Sequence, residues 1–356
     1  MYAHFYLIYY NLLLLAVIIE CMFMFSLSNS NTKEKNNNSF WGILLFVVIL
    51  SIILGYRPGN TNFGDTALYQ RIYEEGGFMN SEEPIFDAIG SICRSIGFST
   101  GLYLSLIAFL YAFLPFLFLE RYSNNKWFSL LMILSSFSFL GYGINGIRNG
   151  LALSILTYSF LFIDPKGKVQ WMKILVCFTI AMGIHKSSLL PISGIILSLF
   201  IVKEIKTAVL IWLFCIPISF LGGSVIAPLF LNLGFDDRLD EYLLGVFKTG
   251  FRWDFILYSC VPILLAYYIV YVKKIVVEQL YKVLINTYIL SNAMWIIIIE
   301  AAFSNRFAYL SWFMYPIVVA YPLLRYRIWH NQKTKVATFL FLYYLFTYMM
   351  SLKTGQ

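Results

Sequence analysis

The sequence predicts an all-α, polytopic integral membrane protein of about 12 transmembrane helices, with two moderate outward loops carrying amphipathic helices. Three observations predict it. Hydrophobic residues make up 60% of the chain and charged residues 12%, at a mean hydropathy of +0.74, which leaves too little polar surface to clothe a soluble globule. Apolar stretches of roughly 14 to 23 residues recur along the chain, the shorter ones legitimate only as tilted or flanked spans. Lysine and arginine favour every second connection, as the positive-inside rule requires.

In order, the stretches are Phe5 to Leu27, Phe40 to Gly55, Gly101 to Leu119, Trp127 to Tyr142, Ile147 to Ile163 and Trp171 to Ile184. Then come Ser187 to Val202, Thr207 to Leu221, Asp254 to Val272, Lys282 to Ile299, Arg306 to Leu324 and Val336 to Ser351. The first has no basic n-region and is too long for a signal core, so it reads as a retained span. The sixth and seventh are divided only by His185 and Lys186. The five cysteines, at 21, 93, 177, 215 and 260, fit neither a disulfide framework nor metal-ligand spacing and read as small core residues.

With the N-terminus outward and alternating spans, 16 of the 26 basic residues fall inside and 12 of the 18 acids fall outside. The formal net charge of +8 is therefore a topology signal and not a nucleic-acid footprint. Two outer loops are large, residues 56–100 and 222–253, within a single transmembrane domain spanning 1–356. In the first loop Asp65, Leu68, Tyr69, Ile72 and Tyr73 recur at helical spacing and Glu83 stands before Pro84, the pattern of short amphipathic helices at a membrane surface. Long loops are where function concentrates, so the outward face is the place to look.

Four cations stand at outer helix starts: Arg148, Lys186 after His185, Arg252 before Trp253 and Asp254, and Arg306 after Ser304 and Asn305. A helix start already presents unpaired N–H groups and a partial positive charge, so a cation there is misplaced unless an anion accompanies it. Helix starts combined with arginine forks suit a diphosphate. Lys186 and Arg238 read first as anchors at the lipid headgroups. His185 has Ser187 and Ser188 beside it and is a candidate acid–base group. Asp65 is a candidate base or a helix cap, and Asp254 a cap and an Arg252 partner at once. The acidic run Asp236, Asp237 and Asp240 lacks an Asp-x-Asp triplet and reads as a solvated turn, so no metal is expected. No nucleotide-binding loop, nucleophile elbow or zinc-protease motif is present, and no cofactor is expected.

The order of "YRPGNTNFGDTALYQRIYEE" and "SEEPIF", then "IRNGLALSI", "GIHKSSLLP", "GFRWDFILYSCVPI" and "SNRFAYLSWFMYPI" resembles the EpsG-type, Wzy-like family of bacterial polysaccharide polymerases over roughly residues 40 to 330. The resemblance implies joining of oligosaccharide repeat units carried on polyprenyl diphosphate, at the outer face of the bacterial inner membrane. Arg148, Arg252 and Arg306 would neutralise the departing diphosphate, and His185 or Asp65 would take the acceptor proton. Arg57, Tyr69, Asn149, Lys186, Asp254 and Asn305 would contact substrate. Tyr56, Tyr69, Tyr73 and Phe78, interleaved with Glu74, Glu75, Glu82 and Glu83, would offer stacking faces and hydroxyl acceptors. The partners implied are the lipid-linked oligosaccharide, the bilayer and, as an open choice, a chain-length regulator protein; nucleic acid is not among them. A polysaccharide ligase shares the donor chemistry but carries a much larger outer loop. A flippase would bury charge near the bilayer midplane, and a membrane O-acyltransferase would pair its histidine with a carboxylate or asparagine on a core helix.

Overall fold

The computed structural model describes residues 2–27, 36–59, 63–77, 83–123, 125–220, 250–300 and 304–354. The described residues form helices, turns and one isolated antiparallel bridge between Ile163 and Val169. The chain divides into two compact units, Met1–Tyr158 with Ala320–Gln356, and Ser159–Val319.

The first unit begins with α1 (Tyr2–Leu27) and α2 (Asn36–Gly55), continues through α3 (Thr66–Glu75), α4 (Pro84–Ser95) and α5 (Thr100–Tyr122), and then α6 (Lys126–Leu134), α7 (Phe137–Ile144) and α8 (Ile147–Ser159). The second unit holds α9 (Trp171–Ile184), α10 (Leu189–Phe200), α11 (Ile205–Ser219), α12 (Trp253–Tyr267) with a π turn to Val272, α13 (Gln279–Ile297) and α14 (Ser304–Trp312). After α15 (Tyr315–Arg325), α16 (Gln332–Thr354) closes the chain in the first unit, where the Tyr344 hydroxyl donates to the Asn11 carbonyl of α1.

Each of the twelve apolar stretches is mainly helical, but they are not twelve uniform spans. Among the described residues, Thr100–Tyr122, Trp253–Val272 and Arg306–Arg325 are long and apolar enough to cross a membrane. Helices α6 and α7 meet the same criteria only when taken together and are bent by 66° at their break, the form of a broken span or a re-entrant loop. The sequence presents Trp127 to Tyr142 as one apolar stretch. It breaks at Ser135 and Ser136, where the last α-helical bond runs from Ser135 N–H to Leu131 O and a tightened one from Ser136 N–H to Ile133 O, and a serine pair is a frequent kink site. Beyond the break, the Tyr111 hydroxyl of α5 donates to the Phe139 carbonyl at 2.8 Å. The fifth stretch likewise leaves the α-helix at Ser159 for a 3-10 turn, Phe160–Phe162, and the Ile163–Val169 bridge. The sixth and seventh stretches do separate, at an extended His185 followed by a 3-10 turn, Lys186–Ser188.

The core of the second unit surrounds α13, which has buried residues on all sides. In an apolar surrounding its polar side chains need internal partners. Asn292 accepts from Trp212 Nε1 at 2.7 Å and donates to the Ser259 and Ser311 hydroxyls at 3.0 and 2.9 Å. Trp312 Nε1 reaches the same Ser259 hydroxyl at 2.8 Å, and Tyr288 donates to the Ser259 carbonyl at 3.0 Å. These bonds tie α11, α12 and α14 to one helix. All five cysteines are free, with Cys93, Cys177 and Cys215 buried.

Candidate functional site

Two arginine clusters emerge, one in each unit. The first is built on the amphipathic helices expected in the first large loop. On α3, Thr66, Tyr69 and Tyr73 face inward, and Gly76 ends the helix in the left-handed conformation. On α4, Pro84 opens the helix and Phe86, Gly90 and Cys93 turn inward. Proline suits that first turn because the N–H it lacks would have no helical partner. The two helices meet through Tyr69 against Phe86, and behind them Tyr73 stacks on Tyr103 at 4.5 Å.

Arg57 fixes this assembly to the start of α8. Its side chain is 2% exposed, and it donates to the Leu54 carbonyl at 2.6 Å, the Thr66 hydroxyl at 2.7 Å and the Ile144 carbonyl at 3.3 Å. One guanidinium therefore joins the end of α2, the start of α3 and the end of α7. Nearby, Gly64 has a φ of +52°, and a Cβ there would lie 2.7 Å from the Asn145 side chain. The Asn145 amide oxygen accepts from the Asp65 N–H at 3.3 Å. Gly146, with a φ of +78°, then turns the chain into α8, a conformation glycine adopts without steric cost.

Arg148 in the first turn of α8 forms an ion pair with Glu83 through Nη1 and donates from Nε to the Tyr69 hydroxyl at 3.3 Å. Its guanidinium also lies 5.6 Å from the Tyr69 ring centroid. The side chain of Arg148 is 34% exposed and that of Glu83 8%. Burial pushes the Tyr69 phenol above its ordinary range, and the adjacent Arg148 eases that shift. The anion that accompanies Arg148 is thus a carboxylate of the protein itself.

The second cluster occupies one end of the second unit. Arg252 precedes α12 and grips Asp254 with two parallel bonds, Nε to Oδ1 at 2.9 Å and Nη2 to Oδ2 at 2.7 Å. Its guanidinium sits 3.6 Å from the Phe255 ring centroid. Helices α12 and α14 run the same way: Phe255 and Tyr258 both meet Trp312, and Tyr258 stacks on Tyr315. Arg252 accordingly lies in electrostatic reach of Tyr309, one turn beyond Arg306, which is exposed near the start of α14. Antiparallel α9 and α10 bring His185 and Lys186 to this end as well, since Trp171 stacks on Phe200 at the other.

That other end is lysine-rich. Gln279 N–H bonds to the Pro165 carbonyl, Lys282 pairs with Glu204 at 3.0 Å and Lys206 lies over Tyr271. These contacts gather the turns carrying Lys166, Lys168, Lys203, Lys206, Lys273, Lys274 and Lys282, with Lys173 beside them in the first turn of α9. The two ends differ in the way the sequence predicts for opposite sides of a membrane.

A model of the EpsG family matches residues 40–356. The chain belongs to the EpsG family. No curated protein and no solved structure matches it. Membership assigns to this EpsG-family chain, in general terms, the role of a membrane-embedded polysaccharide polymerase.

Within the EpsG-family chain, Arg57, Asp65, Tyr69 and Arg148 come together in the first unit, with Glu83 as the carboxylate that completes the group. Asp65 is exposed and Asn149 half-buried. The stacking faces expected at Tyr69 and Tyr73 are taken up inside the fold by Phe86 and Tyr103, because both rings lie on the buried face of α3. Tyr56 remains exposed. Glu74 accepts from the Thr100 hydroxyl and Glu75 from Arg71. In the second unit, Arg252 and Asp254 pair with each other, and Arg306 with half-buried His185 and Lys186 shares their end. Asn305 lies in α14, but its side chain, like Phe78, Glu82, Asp236, Asp237, Arg238 and Asp240, falls outside the described residues. Glu83 was legible only as one loop acid among several, because its partner stands 65 positions away.

Proposed function

We propose that this EpsG-family chain joins oligosaccharide repeat units carried on polyprenyl diphosphate, at the outer face of the bacterial inner membrane. The acceptor sugar hydroxyl attacks the anomeric carbon of the donor. The bond from that carbon to the diphosphate oxygen breaks, and its electron pair leaves with polyprenyl diphosphate. Exposed Asp65 or half-buried His185 takes the acceptor proton. Negative charge grows on the bridging oxygen as the bond breaks, and a preorganised cation at a low-dielectric boundary lowers the barrier to that step.

The observation that carries this reading is the end of the second unit at which Lys186, Arg252 and Arg306 stand close to helix starts, opposite the lysine-rich end. Asp254 pairs with Arg252, which still presents N–H donors, and donors of this kind beside helix starts suit a diphosphate. Transport is less well supported: the charged side chains buried among the described residues, Arg57 and Glu83, stand between α2 and α5 and outside the apolar stretches, whereas a flippase is expected to bury charge near the bilayer midplane.

The test is synthesis by the purified protein from polyprenyl-diphosphate-linked repeat units in liposomes. A ladder of products differing by one repeat is expected, without nucleotide, and unchanged by a chelator. Substituting Arg306 by Gln is expected to lower the rate at least roughly tenfold, the scale of losing one charge-assisted contact. Translocation without lengthening, or a single transfer to a different acceptor, would replace the reading with a transporter or a ligase.

A further inference from the structure

We propose that Glu83 is a positioning and specificity-determining residue that, acting through Arg148, turns that arginine from a diphosphate ligand into a donor for the hydroxyl groups of the acceptor sugar. The proposal rests on the polymerase reading and assigns the acceptor glycan to the Arg148 cluster of the first unit.

Charge decides the assignment. Glu83 is 6% exposed and paired with Arg148, while Asp65 lies one turn before Tyr69 on the same side of α3 and acts on it electrostatically together with Glu83 and Arg148. Arg57 and Arg148 against Asp65 and Glu83 leave the cluster with no net charge, and the charge of Arg148 is met directly by Glu83. A diphosphate placed on Arg148 would meet the Glu83 carboxylate on the same guanidinium, and like charges that close repel strongly away from bulk water. A sugar hydroxyl meets no such penalty, because it donates to a carboxylate and accepts from a guanidinium. Arg148 spends two of its five N–H groups, on Tyr69 and Glu83, and its remaining donors sit on a side chain that is 34% exposed. The exposed side chains of Asp65 and Asn145 add a charged acceptor and an amide.

Glu83→Gln tests this through a gain as well as a loss. Glutamine keeps an oxygen that can accept from Arg148 but removes the compensating charge. In detergent-purified protein, inorganic pyrophosphate is expected to inhibit Glu83→Gln roughly tenfold more tightly than wild type, one charge's worth of attraction. KM for a lipid-free, phosphate-free repeat-unit acceptor should rise, and adding Arg148→Gln should abolish the new pyrophosphate affinity. Glu83→Asp, which keeps the charge, should restore wild-type selectivity. Should Glu83→Gln not accumulate, Arg148→Gln alone decides, because it should leave pyrophosphate affinity of the otherwise wild-type protein unchanged. The proposal is overturned if Arg148→Gln by itself removes pyrophosphate binding, or if a folded Glu83→Gln protein shows wild-type inhibition. Ladder formation by the wild type is scored separately: its absence sinks the polymerase reading, whereas a normal ladder with either overturning result sinks only the role of Glu83.

Discussion

Arg148 shows how much one side chain's chemistry depends on its partners. Its place at a helix start was legible in the sequence, because an arginine between two apolar runs needs an anion. That the anion is Glu83 was not, since sequence-distant pairing is set by the packing of α4 against α3 and α8. The fork geometry matters: Nη1 holds Glu83 while Nε reaches Tyr69, and a lysine ammonium on a flexible stem does not reproduce both contacts in one plane. Arg148→Lys is therefore expected to cut turnover about tenfold or more while leaving abundance and membrane insertion intact; wild-type polymer from this variant would make the residue a headgroup anchor. Tyr69 gives a pH prediction. Its folded pKa is raised, chiefly by burial, so its contribution to stability is full below the unfolded value of about 10 and is lost as pH rises through the higher folded value. Melting temperature should fall in that alkaline range, and Tyr69→Phe should lessen the fall.

At the scale of elements, the apolar runs foretold the helices, and the inward spacing of Tyr69 and Tyr73 foretold α3. What they hid were the breaks. Nothing in the uniform hydropathy of Trp127 to Tyr142 reveals that Tyr111, on another helix, captures the Phe139 carbonyl beyond a serine pair. Nor does Arg57 announce that its side chain is buried and bonded to three segments. Arg57→Met is expected to leave the Leu54 carbonyl and the Thr66 hydroxyl short of a donor, while the Ile144 carbonyl keeps the Thr66 hydroxyl, costing about 2–4 kcal/mol. The measurable result is a lowered melting temperature and abundance, with KM little changed in the protein that folds; a pure KM effect would restore Arg57 to the substrate contacts. Gly64→Ala is expected to cost about 1–3 kcal/mol, since it adds strain at a positive φ to a clash with Asn145. Unchanged thermal stability in that variant would contradict the close approach of the loop to the start of α8.

For the molecule as a whole, charge bias along the sequence anticipated the two unlike ends of the second unit, because each short connection between antiparallel helices lands on a known end. The number of complete crossings was less legible: helices of 12 to 15 residues such as α9, α10 and α11 are shorter than the roughly 20 residues of a straight span. The orientation is open to a direct check. Cysteines replacing Lys203 and Lys273 should react with a membrane-impermeant thiol reagent only from the cytoplasmic side, and cysteines replacing Arg252 and Arg306 only from the opposite side; labelling of both pairs from one side would contradict the topology. The central claim, that bond formation expels a lipid diphosphate, is tested most directly by counting polyprenyl diphosphate released against repeats joined by the purified protein in liposomes. One released per repeat joined is the result expected, and intact lipid-linked units crossing the bilayer with none released is the result that contradicts it.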